Sequence, residues 1–326
     1  MPHLSKRRFL QFSAAAGAAM LLSACGGGDD DGADIVERLA LDPQFSLLVE
    51  AVEAAGLVST LKSAGPFTVF APTNDAFVAL LGEIGLSKDA VFSNTELLTD
   101  ILTYHVLGAR VRAADIPLGD DVDTVQGTTL QINRTGGRLV ITDFQRRTSN
   151  ITFTDIHCRN GVIHRIDKVL LPELDIVQTA QITPDLSILV EAVVAANLAG
   201  VLKGDGPFTV FAPTNAAFAS LLTELGVTKA ALLANTDLLT QVLTYHVLAG
   251  EVRAADIPFS GGVANVTSIS IPPTVAARPF TIIQSPLSID DEAAARPNAN
   301  IVATDVLCRN GVVHVIDRVI LPLLPV

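Results

Sequence analysis

The chain has 326 residues, 49% of them hydrophobic and 17% charged, which points to about two domains and excludes wholesale disorder. Its formal net charge is −12, and such a surface repels phosphate backbones, arguing against a nucleic-acid partner. With fourteen Phe, two Tyr and no Trp, the cores must be built mainly from Leu, Val, Ile, Ala and Phe.

Residues 1–24 read as an export signal rather than as fold. Lys6-Arg7-Arg8 is a basic start, and residues 9–22 form an Ala-rich apolar stretch too short for a comfortable membrane span. Residues 5–11 also resemble a twin-arginine signal. Leu22-Ser23-Ala24-Cys25 resembles the bacterial lipobox, which implies cleavage before Cys25 and lipid attachment to its thiol. The first 24 residues carry three basic residues and no acid, so the remainder stands at −15. The Gly/Asp run that follows suits a lipidated flexible tether over residues 25–34. These features predict a cell-envelope lipoprotein held at the membrane through Cys25. No other segment reaches 18 uninterrupted apolar residues, so no further membrane-spanning helix is expected.

Beyond the tether, residues 46–55 put Leu48, Val52 and Ala55 on one face with Glu50 and Glu53 off it, and Gly56 stands where a C-terminal cap belongs. Residues 67–71 are a short β-rich run halted by Pro72. Thr73-Asn74 then supply caps for a helix through Phe77 and Leu80. Asn94 caps the next helix, with Leu97, Leu98, Ile101 and Leu102 on one face; Ser93 and Glu96 have capping-box spacing. Tyr104 and His105 follow seven residues after Leu97 and Leu98 and share that face. After Gly108, residues 125–132, 138–142 and 150–155 read as strands, with a hairpin at Gly136-Gly137. Residues 161–171 close the series as a long strand stopped by Pro172. Helices first and strands last predict an α+β fold with an antiparallel sheet or sandwich.

The series then begins again. PFTVFAPTNDAF at 66–77 returns as PFTVFAPTNAAF at 207–218, an offset of 141 that TYHVL (103–107, 244–248) and RAADIP (112–117, 253–258) share. CRNGV (158–162, 308–312) returns at an offset of 150, so the second copy has nine extra residues, for which the Pro- and Ala-rich residues 271–297 are the natural loop. The repeat is too long for a solenoid unit and long enough for a domain. The copies are placed at residues 35–172 and 176–322. The short join Glu173-Leu174-Asp175 predicts a restricted, elongated pair.

TVFAPTNDAF, TYHVL and NGVIHRIDKVLLP, with TVFAPTNAAF, TYHVL and NGVVHVIDRVILP in the second copy, resemble the three hallmark blocks of the fasciclin domain. The resemblance covers nearly all of residues 35–322. It implies two tandem fasciclin-like domains, each a roughly seven-stranded β-sandwich or wedge with helices packed along it. It also implies a role in adhesion and surface interactions with no common catalytic centre. In animal members the Tyr-His block has been tied to integrin recognition, which makes Tyr104, His105, Tyr245 and His246 candidate partner-binding residues. Their place on an apolar helical face argues against direct contact unless the helix end is exposed.

His164 alternates with Val162 and Ile166 and so faces apolar neighbours. His164 and His314, with Thr73, Asn74, Thr214 and Asn215, read as structural motif residues. A metal site needs about three protein ligands; two separated His per copy without HExxH or paired Cys predict no metal, and no cofactor is expected. The acidic runs 29–31, 120–123 and 290–292 lack EF-hand spacing and read as solvated loops. Cys158 and Cys308 read as buried free thiols. No GxSxG, P-loop or dinucleotide motif occurs, so the chain reads as no enzyme. The leading reading is an envelope- or surface-anchored adhesion protein recognising a protein or glycan. The rival class is a periplasm-facing small-molecule carrier or, behind it, a hydrolase. A deep pocket lined by polar groups in each domain would favour the rival, and filled cores adhesion.

Overall fold

The computed structural model describes residues 32–270, 275–293 and 296–323. The export signal and Cys25 lie outside them. Of the tether, only residues 32–34 are described, and Asp34 belongs to the fold. Its carboxylate accepts from the Glu37 N–H at 2.9 Å, while the Glu37 carboxylate accepts from the Asp34 N–H at 3.0 Å. This reciprocal cap starts α1 (Ile35–Ala40).

The helices follow as α2 (Ser46–Ala54), α3 (Val58–Leu61), α4 (Asn74–Ile84), α5 (Lys88–Ser93) and α6 (Thr95–Tyr104), with β1 (Phe67–Pro72) between α3 and α4. Gly56, at φ 68°, ends α2 as predicted: the Leu57 N–H reaches back to the Val52 carbonyl at 2.9 Å. Its counterpart Asn197, at φ 56°, is one of the few other residue types that tolerate this conformation. The predicted capping box on α6 does not form. Ser93 Oγ donates to the Ala90 carbonyl, Glu96 pairs with Lys203, and Asn94 caps alone through the Leu97 N–H at 3.3 Å.

The strands are β2 (Val106–Leu107), β3 (Asp121–Asp123), β4 (Thr129–Thr135), β5 (Arg138–Thr142), β6 (Thr148–Cys158) and β7 (Gly161–Ile166). Two differ from expectation for a local reason. Residues 125–128 form a turn instead of opening a strand: Thr124 bonds to the Thr128 carbonyl through both N–H and Oγ1, and Gly127 sits at φ 104°. The acidic run beside it supplies β3, an edge strand whose carboxylates discourage further pairing. The last strand ends at Ile166, not Leu171, because Asp167 turns back to accept from the Asn150 N–H and Nδ2, both at 2.7 Å.

The seven strands form one sheet in the order β2-β1-β7-β6-β5-β4-β3. Only β1 and β7 pair in parallel, from Phe67↔Gly161 to Pro72↔Ile166. A bulge in β6, with Asp155 at φ 59°, bends that strand so that one end pairs with β5 and the other with β7. The bend gives the sheet two buried faces. Helices pack on one, over Phe45, Phe77, Leu98 and Ile163. The other closes on itself around Phe70, Tyr104, Ile132, Ile141 and Ile166. The fold is thus a seven-stranded wedge with helices, α+β as read from the sequence.

The second copy repeats the plan with α7 (Ile176–Gln181), α8 (Ser187–Ala195), α9 (Ala199–Leu202), α10 (Asn215–Leu225), α11 (Lys229–Ala234) and α12 (Thr236–Tyr245). Its strands are β8 (Phe208–Pro213), β9 (Val247–Ala249), β10 (Val263–Thr267), β11 (Pro279–Gln284), β12 (Leu287–Asp290), β13 (Ala299–Cys308) and β14 (Gly311–Ile316). Six of the nine extra residues fall between β10 and β11, since Ile269 bonds to Val247 as Val125 does to Val106 and Tyr245 reaches Pro279 as Tyr104 reaches Thr129; β11 and β12 lie within residues 271–297, which are therefore not one loop. Cys158 and Cys308 are both buried, and neither forms a disulfide. Burial pushes the Cys308 thiol up to about 11, and it donates to Thr179 Oγ1 at 3.3 Å.

The join is part of the packing. Leu174 is fully buried in the first domain's core, and Asp175 caps α7. Across the junction Gln178 Nε2 donates to Asp100 at 2.9 Å, Asn94 Nδ2 to Gln181 at 3.0 Å, and Arg309 pairs with Asp100 at 3.4 Å. Lys203 pairs with Glu96, and Ile182 packs against the first domain's core.

Candidate functional site

The Thr-Asn pair after β1 divides its work. Thr73 caps α4 through the Ala76 N–H, whereas Asn74, already in the first turn, faces away from it. Its Oδ1 accepts from the Leu47 N–H at 2.9 Å and its Nδ2 donates to the Pro43 carbonyl at 2.9 Å, clamping the entrance to α2. Thr214 and Asn215 repeat this with Ala217, Ile188 and Pro184.

Tyr104, His105, Tyr245 and His246 lie inside the molecule, 0–1% exposed. A partner docking on the folded surface does not meet them. Their polar atoms are engaged with backbone: Tyr104 OH donates to the Thr129 carbonyl at 2.8 Å and accepts from the Phe144 N–H at 3.0 Å. His105 Nδ1 donates to the Ile101 carbonyl at 2.8 Å, and Nε2 accepts from the Leu170 N–H at 2.9 Å. That pairing requires the neutral ring, and burial holds both His105 and His246 down at about 4.

His164 uses the opposite tautomer. Nε2 donates to the Val111 carbonyl at 2.8 Å, while Nδ1 accepts at 3.2 Å from the N–H of Asp155, the left-handed residue of the β6 bulge. Burial lowers its pKa, and the ring stacks on Phe70 at 5.7 Å. His314 holds Asp305 and Val252 in the same way. With both ring nitrogens occupied by backbone partners, these histidines offer no free lone pair to a metal; they fix the bend of the sheet.

The residues singled out in the sequence therefore do not converge on one site. The sequence reading also passed over Asn160 and Asn310. Asn160 Oδ1 accepts from the Ile35 N–H at 3.0 Å, and Nδ2 donates to the Leu61 and Ser63 carbonyls at 2.7 and 2.8 Å. It ties the β6–β7 turn to α1 and α3. Its recurrence in the two CRNGV segments was the available signal.

Concavity lies elsewhere. A groove of about 460 Å³ runs along the domain junction, lined by Asp121, Gln131, Thr142 and Arg146 of the first domain and Asp305 and Leu307 of the second. Its rim mixes carboxylates, amides, a guanidinium and an exposed Leu, chemistry suited to a peptide or a sugar. The cavities beside His105 and His246 are apolar and about 30 Å³ each, room for little more than a water.

The fold and its internal hydrogen bonds define a duplicated sheet-and-helix module. The fasciclin-domain profile matches residues 43–172 and 184–322, and the chain belongs to that family. Protein sll1735 of Synechocystis sp. is 42% identical over 139 residues, 42% of this chain and 97% of that one. Transforming growth factor-beta-induced protein ig-h3 of Sus scrofa is 31% identical over 186 residues, 57% of this chain but 26% of that protein. A solved FAS1 domain pair from the insect cell adhesion molecule Fasciclin I matches 89% of this chain and 96% of that chain at 18% identity, with a TM-score of 0.36.

Proposed function

We propose that this chain is an envelope- or surface-anchored adhesion protein, lipidated at Cys25, that recognises a protein or glycan through both domains acting together. Fasciclin domains occur in cell adhesion and extracellular-matrix proteins, which supports an adhesion-type role. The observation that carries the reading is the groove shared by the two domains across a short, buried join. The groove needs both domains, whereas the cavities beside His105 and His246 are too small for a carried ligand.

Beads coated with the first domain, the second domain or the pair, at matched domain density, are tested on a panel of matrix proteins and glycans. The pair should attach beyond the sum of the singles, by about 100-fold where two weak contacts act at once. One domain alone reproducing the full attachment would reduce the other to a spacer and sink the joint reading. The anchor has its own test. A lipidated Cys25 carries more than one acyl chain, enough for stable membrane association. The full-length protein should enter the detergent phase and Cys25→Ser should stay out of it; wild type wholly in the aqueous phase refutes lipidation.

A further inference from the structure

The contact between the two domains is head to tail, which leaves one free copy of each of its halves. The second domain contributes Gln178, Gln181 and Ile182 from the end of α7. The corresponding residues of the first domain, Glu37, Ala40 and Leu41, face solvent, and Leu41 is 73% exposed. The first domain contributes the end of α4 and the outer face of α6, where Ile84 is 4% exposed. The corresponding Leu225 of the second domain is 46% exposed, and Val227, counterpart of half-buried Leu86, is 39% exposed. Gly85 shows the same asymmetry. An added Cβ there would stand 3.2 Å from the Pro184 ring, whereas at Gly226 it meets no described atom within 4 Å.

Three of the four polar contacts keep a matching pair; the fourth, Asn94 on Gln181, becomes Asn235 with Ala40 and is lost. Lys203–Glu96 becomes Lys62 with Asp237, like charge for like charge. The Gln178 amide on the Asp100 carboxylate becomes the Glu37 carboxylate with the Gln241 amide, the same hydrogen bond with the roles exchanged. Arg309 on Asp100 becomes Arg159 with Gln241, still donor to acceptor. Asp34 opens α1 as Asp175 opens α7, each with the same reciprocal cap.

We propose that copies of this chain associate head to tail, the α1 face of one copy seating on the α10–α12 face of the next as α7 seats on α4–α6 within the chain. The contact joins two different surfaces, so each added copy presents a free face of either kind to the next. This is independent of the adhesion reading. Within the chain the short join supplies an effective concentration of order 1 mM; between chains that concentration must come from solution or from crowding on a surface.

The test is sedimentation of the protein lacking residues 1–25, which keeps every described residue, from about 10 μM to about 1 mM, the range the join would supply. The weight-average mass should climb past two chains. Leu41→Asp and Val227→Asp, each on an exposed side chain, should each hold the protein near one chain, while an equimolar mixture of the two should form pairs and stop there. Lys62→Asp should weaken association, and adding Asp237→Lys should restore it. A constant single-chain mass over the whole range overturns the proposal. So does either aspartate variant assembling like wild type, a mixture that fails to pair, or a charge exchange that restores nothing.

Discussion

Gly311→Ala should destabilise the second domain by about 4 kcal/mol, and Gly161→Ala the first by about 2–3 kcal/mol, combining overpacking with, at Gly311, backbone strain. Both glycines start the strand that pairs in parallel with the PFTVFAP segment. A Cβ on Gly161 would lie 2.2 Å from the Phe67 carbonyl oxygen, and one on Gly311 would lie 1.9 Å from that of Phe208. Backbone at such a distance yields only by moving β1 or β8 away from its partner. Gly311 also stands at φ 150°, which a side chain disfavours; Gly161 is free of that strain. Urea unfolding should show two transitions, with each variant shifting only its own domain's. Equal small shifts in both variants would mean that the strand pair opens without cost, and the close-approach account would fail.

Acidification should destabilise both domains before their carboxylates are protonated. His105 and His246 titrate near 6.5 when unfolded and at about 4 in the fold, because burial disfavours the charged ring. Above pH 6.5 both states are neutral and this contribution is fully present. As pH falls from 6.5 toward 4 the unfolded chain takes the proton first, and each domain loses roughly 3 kcal/mol by linkage. Burial lowers His164 too, so the first domain loses more. Asp143 and Asp291 act in the opposite sense. Burial raises them, and they restore some stability as pH falls through their raised values. The urea midpoint of each domain should therefore drop between pH 7.5 and 4.5. His105→Gln should flatten that slope in the first domain alone. A midpoint flat over this range in wild type would show that neither ring is buried neutral.

Much of the architecture was legible along the chain. Gly56 as a helix stop, Thr73 and Asn94 as caps, and residues 138–142 as a strand are local facts, set by a φ value, a side-chain acceptor or an alternation of apolar residues. The duplication was legible because the two copies keep the same blocks in the same order. The Tyr-His pairs were legible as core residues from seven-residue spacing on α6, and the same spacing recurs on α12.

What the sequence could not determine depends on partners far away in the chain. The end of β7 is decided by Asp167 reaching Asn150. Glu96 looked like half of a capping box and is instead committed to Lys203, 107 residues on. The groove and the head-to-tail contact exist only once two domains are placed side by side. Local propensity and spacing describe one helix or strand against its own neighbours in the chain. Which of two equivalent faces becomes buried is settled by a contact between surfaces that no periodicity records, as the exposed Leu41 and the covered Ile182 show.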